Sequence, residues 1–298
     1  MDEEKLGEQL RLARSEGGCF LLPRRLLIRL SGTDAFRYLH GQVTRDLTRL
    51  VPGEALAACI LTPKGKLAAP LLIWREGQDF LLESASEIEE ALLARLERYI
   101  VADDVSITLE KPRQVVHCFG KVAFEGSTSN QAGLHVSRLG MPGIDREVGE
   151  GDSLCQVSLL DPAVVEALRI ERSLPAWGSE LNGELLPPEA GLDLTHIDYD
   201  RGCYPGQEVI SRIKSVGKVN RNLHLLVAAP GGGLHPGQAV LSADGTESGV
   251  LTSVSTQFDT GSVLALCFLK RGVEEPLFAF DPLTGLKRDL TISRNSGT

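Results

Sequence analysis

The run Arg201-Gly202-Cys203-Tyr204-Pro205-Gly206-Gln207-Glu208 places one cysteine between a permanent cation and a glycine–proline turn. Glycine opens backbone angles closed to other residues, and proline fixes its own, so such a loop has a defined path. A thiol held beside a guanidinium is favoured as thiolate, the nucleophilic form. Cys203 is therefore the candidate reactive sulfur and Arg201 its electrostatic partner. The plainer alternative is a small apolar residue buried in a turn, because free cysteine is among the most buried residue types. Gln207 and Glu208 could fix the loop through side-chain to backbone bonds. His196 and Asp198 lie shortly upstream and could orient or deprotonate the thiol, although spacing does not establish that they meet it.

The six cysteines, at 19, 59, 118, 155, 203 and 267, show no CxxC and no Cys/His pair at zinc-site spacing, so no metal site is expected. Free thiols in a reducing cytoplasm are the default expectation. Asp2-Glu3-Glu4 after Met1 has the wrong charge for a secretory or transit peptide. No apolar run reaches the roughly 20 residues that span a bilayer, so no membrane partner is expected. A net charge of -9 with pI near 5.3 argues against general capture of nucleic acid, and no direct nucleic-acid contact is expected. A local basic patch remains open. The 42% hydrophobic and 24% charged content is that of an ordinary globular protein, and 298 residues suffice for two or three domains.

The elements that must position the loop follow from periodicity. Leu6, Leu10 and Ala13 share one face of a short helix. Leu26–Leu30 reads as a strand, and Ser31-Gly32-Thr33-Asp34 offers caps for a helix carrying Phe36 and Leu39. Strands follow at Leu56–Leu61 and Leu67–Trp74 around the turn Thr62-Pro63-Lys64-Gly65-Lys66. Ser86 with Glu89 reads as a capping box before a helix with Ile88, Leu92, Leu96 and Tyr99 on one side. Residues 113–160 continue the apolar-strand style with many glycines, and Asp161-Pro162 opens a helix to about Arg172. From about Val216 short apolar runs alternate with turn signals, including Asp244-Gly245 between Val240-Leu241 and Val250-Leu251. The expectation is an α+β region at 1–215, in two lobes of about 1–112 and 113–215, followed by an all-β barrel at 216–298.

Several segments, in order, resemble the YgfZ/GcvT-type folate-binding family. Residues 201–208 are similar to its K-G-C-Y-x-G-Q-E signature, with arginine at the usual lysine position. Ser31–Phe36 with His40-Gly41-Gln42-Val43-Thr44-Arg45-Asp46 is similar to its opening motif, and Leu61–Lys66 to its next turn. Leu168-Arg169-Ile170-Glu171 with Leu174-Pro175 and Gly178, and later Gly249–Ser253, resemble two further blocks. Each block alone is weak, but the ordered set covers nearly the whole chain. The resemblance implies a GcvT-like fold, with antiparallel sheets and flanking helices around a central cavity, a C-terminal barrel, and tetrahydrofolate or a derivative as cofactor.

One branch of that family is the glycine-cleavage aminomethyltransferase. The other comprises accessory proteins for assembly or repair of iron–sulfur enzymes, including those that modify tRNA. The cysteine motif belongs to the accessory branch. Aligned on Gly65, the aminomethyltransferase Asp pair becomes Ala69 and Pro70, and neither can supply the carboxylate that methylene transfer requires. The resemblance thus implies a folate-binding accessory protein with iron–sulfur enzymes as clients. The alternative is a folate-dependent one-carbon transferase acting on another substrate.

Among the residues, Glu171 is the implied pterin ligand, because one carboxylate can accept a ring N–H and an exocyclic amine together. Without the resemblance it reads as a surface glutamate at a helix end. Trp177 could stack on the pterin or belong to the core. Gln42, Thr44 and Asp46 could line the cavity or cap and solvate a loop. Lys64, with Lys66, could meet a folate glutamate tail or remain solvated. Gly202, Tyr204 and Gly206 complete the cysteine loop.

Overall fold

The computed structural model describes residues 2–124, 133–149, 158–217, 219–281, 285 and 287–293. Helix α1 (Glu3–Ser15), capped by the Asp2 side chain, buries Leu6, Leu10 and Ala13 as the periodicity predicts. Strand β1 (Gly17–Leu21) follows, then β2 (Arg25–Ser31), α2 (Ala35–Gln42), β3 (Leu56–Leu61), β4 (Leu67–Glu76), β5 (Asp79–Ala85), α3 (Glu89–Glu97) and β6 (Ser106–Leu109). Strands β2–β6 make one antiparallel sheet in the order β3-β4-β5-β2-β6. Strand alternation sends Ile28, Leu30, Ile60, Ile73 and Leu82 to the face under Leu39, Leu92 and Leu96 of the two helices. The opposite face carries Leu27, Trp74 and Leu81.

Strand β7 (Val115–Gly120) is followed by α4 (Lys121–Phe124), β8 (Leu134–Val136), β9 (Gly143–Glu147) and α5 (Pro162–Glu171). The second sheet has the order β1-β7-β9-β8. Its first strand comes from the chain's start, so α1 and β1 join the elements after residue 113 rather than those of 25–109. Phe20 and Phe119 of this sheet pack with Leu10 of α1 and Val164 and Leu168 of α5. Two short helices follow, α6 (Asp193–His196) and α7 (Gln207–Val216).

The last region is the expected barrel. Strands β10 (Arg221–Ala228), β11 (Ala239–Ser242), β12 (Glu247–Thr256), β13 (Val263–Lys270), β14 (Leu277–Phe280) and β15 (Lys287–Ile292) close in the order β10-β13-β12-β11-β14-β15. Closure pairs β15 back onto β10 and leaves no open edge. Leu226, Val240, Leu251, Ala265 and Leu290 fill the interior. Leu225, Leu264 and Leu266 face outward onto Ile170, which docks the barrel against α5. The Asp244-Gly245 turn forms the β11–β12 hairpin, with Asp244 accepting from the Thr246 amide at 2.9 Å.

Two expectations need correction. The Ser86–Glu89 capping box does not form. A single 3-10 turn at Ser86–Ile88 precedes α3, so Ser86 is no longer at the helix N-cap, and its hydroxyl bonds the Glu87 carboxylate at 3.4 Å. That turn carries Ile88 into the core. The free-thiol expectation fails for two cysteines. Cys19 and Cys118 stand directly opposite each other on β1 and β7 and form a disulfide. Cross-strand partners bring their Cβ atoms within bonding reach, which sequence position cannot reveal across 99 residues. Cys59 and Cys267 are buried thiols and Cys203 an exposed one, while Cys155 lies outside the described residues. No helix among the described residues is long and apolar enough to cross a membrane.

Candidate functional site

The cysteine loop rests on a seat built by two glycines. Gly206, at φ 84°, lies so close to the Thr62–Lys66 turn that a Cβ there would stand 2.5 Å from the Thr62 carbonyl and 3.0 Å from the Gly65 Cα. A Cβ on Gly65 would meet Val209 at 2.9 Å. The two turns that the sequence singled out therefore interlock backbone to backbone. Tyr204 drops into the core beneath with Cys59, Leu61, Leu67 and Ile210. Burial pushes its hydroxyl up to about 12, so it stays neutral. Gly206 also starts α7, and Glu208 is exposed in the first turn.

Arg201 is buried, and its nitrogens face carbonyls rather than carboxylates. One terminal nitrogen donates to the Val43 and Arg45 carbonyls, at 2.6 Å each, and the other to that of His40. Nε donates to the Gly202 carbonyl at 3.1 Å. The His40, Val43 and Arg45 carbonyls lie at and just beyond the C-terminal end of α2, where carbonyls lack helical partners and a cation is favoured. The Gln207 side chain ties the loop by donating to the Arg201 carbonyl at 3.3 Å. Arg201 thus clamps the loop to α2, and Gly202 and Cys203 remain exposed.

The polar run after α2 forms the wall of this seat. The buried Thr44 hydroxyl donates to the His196 carbonyl at 2.6 Å and accepts from the Cys59 amide at 2.8 Å. Asp46 caps the following turn through Thr48, and its own amide donates to Asp198 at 2.9 Å. Asp198 also pairs with Arg45 at 2.9 Å. Gln42 accepts from Arg95 at 3.0 Å. Gln42, Thr44 and Asp46 therefore bind protein groups, and none lines either cavity described below. Burial and the nearby Arg45 push His196 down to about 4, so its ring is neutral near pH 7. Its Nδ1 bonds the Thr195 hydroxyl at 2.7 Å. Lys64 is exposed on its turn, and Lys66 donates to the Glu184 carbonyl.

A cavity of about 350 Å³ opens between the facing sides of the two sheets. That volume lies in the range of small-molecule sites. Leu27, Trp74, Val115 and Leu134 give it apolar walls. Glu83, Asp145 and Arg25 also line it and belong to an ion network that the sequence reading missed. Arg138 holds Glu83 with two bonds of 2.7 Å and Asp145 with bonds from Nε and a terminal nitrogen. Asp145 also bonds His117 Nδ1 at 2.8 Å, and Glu83 accepts from Arg25 at 3.0 Å. Burial pushes both carboxyls upward, but the charges of Arg138, Arg25 and hydrogen bonds from these partners and His117 outweigh it, so both lie below their ordinary range. Ala69 is buried in the core on the far face of the first sheet, and the Pro70 carbonyl accepts from Ser84 at 2.6 Å.

Glu171 does not line this cavity. It borders a separate recess of about 450 Å³ beside the barrel strands, with Gly140, Arg172 and Leu264. Both of its oxygens accept from Arg14 Nε, at 3.1 and 3.0 Å. Arg14 also reaches Asp259 and Gln257, which joins α1, α5 and the barrel. Trp177 packs between the core of the first sheet and the core beneath the cysteine loop and lines neither cavity. Among the described residues no group of three or more His, Cys, Asp or Glu side chains converges as a metal site.

No family model matches the chain. Among curated proteins it is 27% identical over 226 residues to the tRNA-modifying protein YgfZ of Escherichia coli O157:H7, covering 68% of this chain and 69% of that protein. The proteins of that name from Escherichia fergusonii and Shigella boydii serotype 4 are each 26% identical over the same shares. Among solved structures it resembles the glycine cleavage system aminomethyltransferase T of Bartonella henselae, with TM-score 0.79, 17% identity, and coverage of 98% of this chain and 89% of that one. The chain therefore has YgfZ homologues and a GcvT-like fold, as the ordered motifs implied.

Proposed function

We propose that this YgfZ homologue with a GcvT-like fold binds a tetrahydrofolate-type cofactor between its two sheets, presents Cys203 to client proteins, and serves iron–sulfur enzymes as an accessory factor, including enzymes that modify tRNA. The observation that carries this reading is the cysteine loop. Its thiol is exposed, while every neighbouring residue that fixes its position is buried or clamped. A reactive group held on rigid backbone and open to a partner suits chemistry on a macromolecular client.

The cavity between the sheets fits a flat ligand, with an indole and aliphatic side chains on its walls and charged groups around them. A reduced folate, when bound, supplies one-carbon chemistry. The chain's own residues hold such a ligand between Trp74 and the second sheet and keep the thiol in a fixed place outside. Ala69 and Pro70 supply no carboxylate at the positions that matter for the aminomethyltransferase, which supports the accessory reading over group transfer.

Titration calorimetry with tetrahydrofolate, combined with complementation of a strain lacking its own accessory protein, tests both halves. Tetrahydrofolate is expected to bind wild type and Cys203→Ala equally, while Cys203→Ala fails to complement. Absence of binding overturns the cofactor assignment. Full complementation by Cys203→Ala overturns the role of the thiol.

A further inference from the structure

Two supports carry the cysteine loop. The end of α2 receives Arg201 through the carbonyls of His40, Val43 and Arg45, and the Thr62–Lys66 turn receives Gly206. Behind both supports, the Thr44 amide donates to the Cys59 carbonyl at 3.0 Å. At the supports themselves one side chain spans both, and it belongs to none of the motifs singled out in the sequence. Arg95, in α3, gives one terminal nitrogen to the Gln42 side chain at 3.0 Å, and Gln42 is the last residue of α2. Its other terminal nitrogen donates to the Leu61 carbonyl at 3.2 Å, and Leu61 ends β3 immediately before Thr62. The guanidinium carbon stands 3.9 Å from the centre of the Tyr99 ring, a contact that favours one placement of the group. These terminal nitrogens meet an amide and a backbone carbonyl rather than a carboxylate, so the contact orders geometry more than it pairs charge.

We propose that Arg95 is a positioning residue for Cys203. By holding the end of α2 and the end of β3 at one separation, it holds Arg201 and Gly206, which flank the cysteine, at theirs. Gln42 then has a role of its own, as the receiver of Arg95. A planar fork serves two acceptors in different directions at once, whereas a single ammonium does so poorly. That the seat matters for activity rests on the thiol reading above; the geometry of the seat does not.

Alkylation of Cys203 in the full chain tests this. Cys59 and Cys267 are buried, a Cys155→Ser background removes the thiol outside the described residues, and Cys203→Ala serves as the blank. Cys203 is among the groups whose charge acts on Arg201. The ratio of rates with iodoacetate, an anion, and iodoacetamide, its neutral counterpart, therefore reports how firmly that guanidinium is kept near the sulfur. Arg95→Met is expected to lower the ratio by roughly three-fold, the scale of one partly exposed charge pair. Arg95→Lys should recover part of the loss. Gln42→Ala removes one of the two contacts, should lower the ratio less, and carries the same test with a milder change. Hydrogen exchange should quicken together at the end of α2, in the Thr62–Lys66 turn and in residues 201–206. Urea unfolding confirms that each variant is folded under the labelling conditions. An unchanged ratio in folded Arg95→Met overturns the proposal. So does an equal fall in Arg138→Met, because general loosening would then account for it. If the ratio falls in Arg95→Met alone, yet Arg95→Met and Cys203→Ala both complement a strain lacking its accessory protein, the positioning stands and the thiol reading falls.

Discussion

The cavity network and the cysteine loop each depend on a buried arginine, and the two arginines do different work. Arg138 meets two carboxylates, Glu83 and Asp145, and Arg25 adds the second cation, so positive and negative charge balance within one cluster between the sheets. Arg201 meets four backbone carbonyls, so dipoles rather than formal charges answer it. Matched charges are expensive to separate in a buried site, whereas a cation on carbonyls chiefly orders the backbone. The interior of this protein thus has a rigid wall suited to holding a ligand. Its loop has an exposed sulfur two residues from Arg201, whose guanidinium forms no ion pair among the described residues and is held by carbonyls instead.

Breaking the first arrangement should cost most. Arg138→Met removes the partner that Glu83 and Asp145 share and, among the described residues, leaves Arg25 on Glu83 and His117 on Asp145. We expect a loss of about 3–5 kcal/mol, the scale for opening a buried ion pair. Urea unfolding would show a large drop in midpoint with the slope kept. A drop under about 1 kcal/mol would mean that the network is solvated and that the two arginines do not differ in this way.

The second arrangement should yield less. Arg201→Lys keeps the charge but replaces a fork by a single ammonium, which cannot span all four carbonyls. The expected cost is about 1–2 kcal/mol, one or two hydrogen bonds to a charged donor. Faster hydrogen exchange should appear at the end of α2 and in the 201–208 loop and not in the sheets. Uniform loosening across the molecule would argue that Arg201 supports the whole fold rather than the loop.

These two regions were not equally legible in the sequence. The loop was readable because its determinants are local. Glycine, proline and cysteine within eight residues announce a shaped turn, and Gly65 marks the second turn that meets it. Asp161-Pro162 and Asp244-Gly245 were readable for the same reason. The cavity network was not. Glu83 lies 55 residues from Arg138, and Arg138 sits in a glycine-rich stretch with no local mark of burial. On a strand, a charged residue reads as solvent-facing by alternation, and only a second sheet across the gap turns Glu83 inward. Glu171 was partly legible. Its helix end was correctly placed, but the neighbour that engages it, Arg14, lies 157 residues away on the first helix.

Acid should separate the regions by the pH at which each weakens. His196, in the wall behind the loop, is held down to about 4 by burial and by Arg45. An unfolded histidine titrates near 6.5. Between those values the unfolded chain binds more protons than the folded one, so stability rises with pH across this window and is lost as pH falls from about 6.5 toward 4. His40, lowered by burial and by Arg201, acts in the same sense. Glu83 and Asp145 also lose stability on acidification, but only as pH falls from their unfolded range near 4 to their lower folded values. Mild acid therefore loosens the seat of the thiol while the cavity wall stays intact. Between about pH 7 and pH 5, His196→Gln should lose less stability than wild type by on the order of 1–2 kcal/mol. Urea midpoints at the two pH values measure the difference. Parallel losses in both proteins would place the acid sensitivity elsewhere than the loop's seat, and the two arginine-centred regions would then no longer be distinguished by their response to protons.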